Sequence, residues 1–518
     1  MSSILSAKRA FRGLLRIVFS RTMLIVLLLV LNIGLTLSFC FGLIQGLYVF
    51  LGSMAAFTLV VELIILNSRE EVAMKLSWAV LVAVLPMFGA LLYFFIRFDL
   101  GNRVNRKRIR DSIAASLPWV PSQEAVQEAI RETAPDLNPI ACYLRTHANA
   151  PAYANTEVTY FPLGEDMFRQ LLEELESAER YIYMEYFLVS RGHMWNSILE
   201  ILERKAASGL DVRVMYDGMN TFTNLPYGYP AQLQKKGIQC KMHAPLRPFV
   251  STHYNNRDHR KITVVDGRTA FTGGVNLEDC YINRESRYGH WKDTALMLRG
   301  DAVQSFTLMF LQMWNASQRD RDFSSVLAAS HTFPHSRGFV IPYGDGPTDS
   351  ERVGKGVYLS LIGSARNYLY IMTPYLIADE TMITALCLAA RRGVDVRMIL
   401  PHIPDMKTAQ ILARSHYRDL ETAGVKIYEY TPGFVHAKVF LCDDLHAVVG
   451  TINLDYRSLY HHFECAAYLY DVPALGDIRD DFDRTMALSR PVTSDDVKKQ
   501  SLLSRFFGGI LKAFAPLM

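Results

Sequence analysis

Two stretches of this 518-residue chain carry the same reactive side chains at the same spacing: His259, Lys261 and Asp266 in the first, His436, Lys438 and Asp443 in the second. Each reads HxKxxxxD, and each is trailed at the same offset by a short run ending in asparagine, Gly273-Gly274-Val275-Asn276 and Gly450-Thr451-Ile452-Asn453. Together the copies hold what transfer at a phosphodiester requires. One group must attack phosphorus, one must protonate the leaving oxygen, and positive charge must meet the equatorial oxygens. Imidazole suits the first two tasks because its ordinary pKa is about 6.5, and its attack splits one hard displacement into two easier ones. Lys261 and Lys438 supply the charge.

The elements that position these groups follow from local composition. Ile262 to Val265 and Val439 to Leu441 are apolar and largely β-branched, so each motif reads as a strand on which His and Lys, two residues apart, face the same side. Asp266-Gly267 signals a hairpin turn with Arg268 to Thr272 returning. A two-residue turn there sets Gly274 beside His259, where the lack of a side chain admits a ligand, and sets Thr451 beside His436. Asp266 lies five residues beyond Lys261, roughly 16 Å along an extended strand. Asp266 and Asp443 are therefore expected to hold the hairpin or a neighbouring polar group rather than the same phosphate.

The doubled motif is the signature of the phospholipase D superfamily. With Tyr288-Gly289-His290-Trp291-Lys292-Asp293-Thr294, Thr373-Pro374-Tyr375-Leu376 and Asn453-Leu454-Asp455-Tyr456-Arg457-Ser458, the chain resembles bacterial cardiolipin synthases over roughly residues 76 to 518. The resemblance implies a catalytic set of His259, Lys261, Asp266, His436, Lys438 and Asp443 and no metal or other cofactor. It gives Asn276 and Asn453 to the phosphoryl oxygens, and Asp293 and Glu464 to orienting the motif histidines. One departure stands before Phe463, where relatives more often have asparagine and this chain has His462.

The chain also repeats itself outside the motifs. Ser177-Ala178-Glu179-Arg180-Tyr181-Ile182-Tyr183 resembles Ser364-Ala365-Arg366-Asn367-Tyr368-Leu369-Tyr370, and Ser208-Gly209-Leu210-Asp211-Val212-Arg213-Val214 matches Arg392-Gly393-Val394-Asp395-Val396-Arg397-Met398. Helices alternate with strands before each hairpin, which argues an α/β fold of two repeats, each a mixed sheet flanked by helices, related by a pseudo-two-fold. We place the repeats at 151–345 and 346–500, after a proline-punctuated linker at 101–150 and before an amphipathic tail at 501–518. That tail suits either an interfacial helix or docking on the protein itself. Arg257, Arg260, Arg284, Arg287, Lys292 and Arg457 crowd the motifs, to bind anionic headgroups or to solvate the surface.

The N-terminal region, 1–100, reads as membrane helices. Residues 22 to 61 carry no charge, room for two spans of about 20 residues, near 22–43 and 46–66. A third apolar stretch, 76–96, contains Pro86 and Gly89 and is either a bent, shallow element or an ordinary kinked span. Basic flanks before the first stretch and after the third both belong in the cytoplasm, which three crossings cannot satisfy. The net charge of +4 gives no global field for nucleic acid. The seven cysteines include no CxxC pair, which fits reduced thiols and no zinc site.

The expectation is a multi-pass enzyme of the bacterial cell membrane, its catalytic domain on the cytoplasmic side, bound to anionic lipids and compatible with a homo-oligomer. It joins two phosphatidylglycerols into cardiolipin and glycerol through a phosphatidyl-histidine. The alternatives are a phospholipase D or headgroup-exchanging phosphatidyltransferase, then a nuclease or a silent lipid-binding scaffold.

Overall fold

The computed structural model describes residues 47–68, 70–98, 100–221, 224–245, 256–326, 336–349, 351–499 and 502–517. They fall into two compact units. One holds three helices, α1 (Leu47–Leu66), α2 (Val72–Val84) and α3 (Pro86–Phe98), with the residues from Lys512 onward; the other holds Asn105–Pro245 and 256–511.

In the first unit, Val61, Ile65, Trp78, Val82, Ala90 and Tyr93 form a small core against which Leu517 packs. Proline has no amide hydrogen for a helix interior, and the third apolar stretch breaks at Leu85, with Pro86 opening the next helix. The halves fold back on one another at Gly89, where a Cβ would lie 2.8 Å from the Leu81 carbonyl oxygen. Each half has 13 residues, about 20 Å at 1.5 Å per residue, short of a hydrocarbon core about 30 Å thick. α1 carries Glu62 near its end and turns Val61 and Ile65 onto its neighbours. Among the described residues no helix is long and apolar enough to cross a membrane, so the spans expected near 46–66 and 76–96 are not found as crossings; the stretch near 22–43 lies outside the described residues.

The second unit is built on two sheets. The first takes β1 (Thr156–Phe161), β2 (Tyr181–Tyr186), β3 (Asp211–Asp217), β4 (Gln239–His243), β5 (Lys261–Val265) and β6 (Thr269–Gly273); beyond the short β7 (His290–Lys292) it adds β8 (Ala295–Gly300). Its order is β1-β8-β6-β5-β2-β3-β4. The later strands are β9 (Phe339–Asp345), β10 (Tyr368–Met372), β11 (Leu376–Ile377), β12 (Asp395–Pro401), β13 (Lys426–Tyr430), β14 (Gly433–Val435), β15 (Val439–Cys442), β16 (His446–Gly450), β17 (Leu454–Asp455), β18 (Glu464–Tyr470) and β19 (Ser489–Pro491). The second sheet runs β9-β18-β16-β15-β10-β12-β13-β19. Strand for strand this is the first order again with β19 added at the edge. In both sheets the three strands β2-β3-β4 or β10-β12-β13 are parallel and the motif hairpin runs antiparallel to them.

Parallel strands are covered on both faces, and the central β2 and β10 are buried along nearly their whole length for that reason. One face of each sheet shares a common core: Ile262, Val264, Leu296 and Leu298 from the first meet Val439, Leu441, Val449 and Leu469 from the second around helix Val303–Asn315. The outer face of the first sheet is covered by helices through Leu171, Leu175, Trp195, Ile198 and Leu202. The short strands cross-link the repeats, since β7 pairs in parallel with β14. Lys292 donates to Asp481 at 2.7 Å, a buried bridge from first repeat to second, and Asp481 also accepts from the Tyr160 hydroxyl.

Candidate active site

Each motif hairpin closes with a three-residue loop, since Val265 pairs with Thr269 and Cys442 with His446. Asp266, Gly267, Asp443 and Asp444 all have positive φ there. The expected two-residue turn is one residue too short, and the register shifts by one. Gly274 and Thr451 consequently do not sit beside the histidines of their own motifs. A Cβ on Gly274 would fall 2.0 Å from Asp293 Oδ1, so the missing side chain makes room for a carboxylate, not for a ligand. Thr451 hydrogen-bonds through its hydroxyl to Glu464.

Those two acids organise the site by exchange between repeats. His259 of the first motif places Nδ1 2.9 Å from Glu464 Oε2 on β18, and its amide donates to Phe463 O at 2.9 Å. His436 of the second motif places Nδ1 2.6 Å from Asp293 Oδ2, just beyond β7, and its amide donates to Lys292 O at 2.7 Å. Each histidine is thus oriented by the other repeat, and one site forms at the seam. Orientation through Nδ1 leaves Nε2 as the reacting nitrogen.

Both lysines are buried with the histidines. Lys261 Nζ donates to the His259 carbonyl at 2.6 Å, and Lys438 Nζ contacts the His436 carbonyl and lies 2.8 Å from His436 Nδ1. Burial lowers Lys261 to about 8 and Lys438 to about 7, with Glu464 and Asp293 pulling the other way. Burial likewise lowers His259 to about 3 and His436 to about 4, opposed by the same carboxylates. Burial also disfavours the Glu464 carboxylate, but its close contact with the His259 ring outweighs that and holds Glu464 well below the usual range. Without a bound anion the site therefore keeps two neutral imidazoles beside two weakened ammonium groups. A phosphodiester brings the missing negative charge.

Asp266 and Asp443 take no part in that cluster. Asp266 accepts from the amides of Glu179, Arg180 and Tyr181 at 2.8 to 2.9 Å, and Asp443 from those of Arg366, Asn367 and Tyr368 at 2.7 to 2.8 Å. Each fixes its hairpin to the start of the adjacent central strand. Asn276 accepts from the Leu188 amide and donates to Tyr281 Oη, while Asn453 Oδ1 is buried without a partner.

Three of the basic residues near the motifs serve neither headgroups nor the surface. Arg257 bonds Asp217 and the Ala244 carbonyl, Arg260 lies 2.8 Å from Glu185, and Lys292 holds Asp481, all buried. Arg284 and Arg287 are exposed. Sequence reasoning missed the aromatic lining: Tyr281, Trp291 and Phe434 lie 5.3 to 5.9 Å from the His436 ring, and Phe187 lies 5.0 Å from that of His259. Of these only Phe434, just before His436, stands close to a motif along the chain. His462, visible only as a departure from the family, is buried with its ring 5.5 Å from that of His259.

Two sheets of matching order, joined so that each repeat orients the other's histidine, define a phospholipase D-like fold. A family described as "Cardiolipin synthase, PLD-like domain" matches residues 171–314 and 358–486, and one described as "Phospholipase_D-nuclease N-terminal" matches residues 55–97. A cardiolipin synthase of Geobacillus kaustophilus is 30% identical over 501 residues, covering 96% of this chain and 99% of that one. An uncharacterized protein of Streptococcus mutans is 46% identical over 456 residues, 88% and 99% of the two chains. The crystal structure of phosphatidylserine synthase from Haemophilus influenzae aligns with a TM-score of 0.55 at 17% identity, over 73% of this chain and 97% of that one, a likeness of fold. The chain belongs to the cardiolipin synthase family of phospholipase D-like phosphatidyltransferases.

Proposed function

We propose that the enzyme transfers a phosphatidyl group between two phosphatidylglycerols, forming cardiolipin and releasing glycerol. The reciprocal pairs His259 with Glu464 and His436 with Asp293 carry this reading, because they supply two oriented imidazoles at one point. His436 takes up a proton at Nε2 from solvent as the anionic phosphodiester binds; His259 Nε2 then attacks phosphorus as the bond to the glycerol oxygen breaks, and His436 passes that proton to the leaving oxygen. Asp293 stabilises the imidazolium from which the proton leaves. The second phosphatidylglycerol then gives its hydroxyl proton to His436 while its oxygen displaces His259 from phosphorus. Lys261, Lys438 and Asn453, with Asn276 behind them, hold the phosphoryl oxygens through both steps.

Residues 151–345 and 346–500 each contribute half of this machine, and the N-terminal unit brings it to lipid. Leu59, Val60, Leu63 and Leu66 of α1 and Val72 and Leu76 of α2 are all at least half exposed, an apolar surface that suits a bilayer better than water. This supports attachment to the bacterial cell membrane, and the basic flanks of the apolar stretches favour its cytoplasmic face for the catalytic unit.

The test is product analysis by mass spectrometry, with the purified enzyme given phosphatidylglycerol as its only phospholipid. Cardiolipin with an equivalent of glycerol is the expected result, and neither His259→Ala nor His436→Ala should form it. Phosphatidic acid in place of cardiolipin would make the enzyme a phospholipase. A lipid trapped on His436 would exchange the roles of the two histidines.

A further inference from the structure

His462 is a third imidazole in this site, and the transfer scheme gives it no task. It is 8% exposed, and neither ring nitrogen has a hydrogen-bond partner. Its Nδ1 is 3.7 Å from Glu464 Oε1, too far for a hydrogen bond. A buried polar atom left unpaired costs about 1 to 3 kcal/mol, so an unpaired ring here points to a ligand.

The neighbours say which kind. One donor atom each from His259, His462 and Glu464 lie within 4.8 Å of one another. Two imidazoles and a carboxylate are a donor set that zinc favours, with bonds of about 2.0 to 2.2 Å whose tetrahedral edges are about 3.3 Å. His259 Nδ1 lies 2.9 Å from Glu464 Oε2 and His462 Nδ1 3.7 Å from Glu464 Oε1, so each imidazole faces a different oxygen of the carboxylate that lies between them. Small side-chain shifts would close the set around one ion. Glu464 and Asp455 bring negative charge to this corner, where Lys261 acts on Glu464 and Arg457 on Asp455.

We propose that His259, His462 and Glu464 form an inhibitory site for a divalent ion of the zinc type. The ion would take Nδ1 of His259 in place of its proton and draw Glu464 from orienting the ring to ligating the metal. His259 then carries a cation at its back and is a poor nucleophile for phosphorus. This regulation rests on the proposed role of His259 in transfer.

The experiment separates the two. The full-length enzyme, stripped with EDTA, is titrated with zinc chloride in a calorimeter, and turnover is followed in parallel with and without zinc. One equivalent of zinc should bind, and turnover should fall at least about tenfold and recover with EDTA. Outer-shell partners alone are worth about 10- to 100-fold in metal affinity, so loss of a ligand in His462→Asn should weaken binding by about 100-fold or more. The ratio of turnover with and without zinc in that variant should return to near one. No binding by the unmodified chain, or binding and inhibition unchanged in His462→Asn, overturns the site. Binding lost in His462→Asn but without effect on wild-type turnover would overturn the inhibition and count against His259 as nucleophile, while cardiolipin formation itself is read independently.

Discussion

Replacing Asp293 by Asn changes almost no volume, yet the structure makes it among the most damaging substitutions available. Asp293 Oδ1 accepts from the Thr294 amide at 2.8 Å and Oδ2 faces His436 Nδ1 at 2.6 Å. An asparagine has one oxygen for these two donors. With its oxygen on Thr294, the amide nitrogen faces His436 and forces the ring to present a lone pair at Nδ1, which moves the ring proton to Nε2. With its oxygen on His436, two N–H groups confront one another at 2.8 Å in a buried cradle, at a cost of about 1 to 3 kcal/mol. The first arrangement keeps the fold and is therefore preferred. It also removes proton exchange at Nε2. The comparable change in the serine-protease triad, an aspartate to asparagine behind a histidine, costs about 10⁴ in kcat, or about 5 kcal/mol at about 1.4 kcal/mol per decade. We expect Asp293→Asn to unfold within a few degrees of wild type and to form cardiolipin about 10³ to 10⁴ times more slowly, in single-turnover assays with phosphatidylglycerol. Turnover within tenfold of wild type would refute the claim that His436 exchanges its proton through Nε2 under the direction of Asp293.

The motif aspartates should behave in the opposite way. Asp443→Asn loses part of three charge-assisted bonds to backbone amides, so the midpoint of urea unfolding should fall by an amount equivalent to about 2 to 4 kcal/mol, while turnover per folded molecule changes only a few-fold; a thousandfold loss in folded protein would place Asp443 in the chemistry after all. The two buried histidines should give the unliganded enzyme an acid-labile contribution to stability, with the sign set by their burial. Both are depressed, to about 3 and about 4, from an unfolded value near 6.5. Between those values the unfolded chain binds more protons than the folded one, so their contribution is complete above about pH 6.5 and is lost as pH falls toward about 4. The buried Asp217 and Asp345, both raised by burial to about 7, act in the opposite sense over the same range, so the test is a comparison: between pH 7.5 and pH 5 the urea midpoint should fall further in wild type than in a His259→Ala/His436→Ala double variant, and an equal change in the two would show that the rings contribute nothing.

Much of this was legible in the sequence because chemistry and repetition coincide there. The doubled HxK pattern, the matched segments around Tyr181 and Tyr368, and the β-branched runs foretold two sheets of one design and the groups at their seam. Register was the first thing the sequence could not convey. Asp-Gly after Val265 favours a two-residue turn on local grounds, but the Asp266 carboxylate captures three amides at the start of β2, and that distant contact outweighs the local preference. Asp443 does the same at β10 and has no glycine after it, only Asp444, so the turn type follows from the carboxylate rather than from the turn residues.

The exchange of acids between repeats was the second, and it has a consequence for how such a site holds together. Asp293 lies 27 residues after Asp266 and Glu464 lies 21 after Asp443, so position along the chain suggests that each acid serves its own half. The parallel pairing of β7 with β14, and of Asp258 with Phe463, carries each acid across instead. Neither histidine is then oriented unless the repeats are docked. The buried bridge from Lys292 to Asp481 is part of that docking, and removal of one partner of such a pair typically costs about 3 to 5 kcal/mol. The reactive nitrogens are thereby aligned only in the assembled unit, and a lone repeat holds an imidazole with nothing to fix its proton.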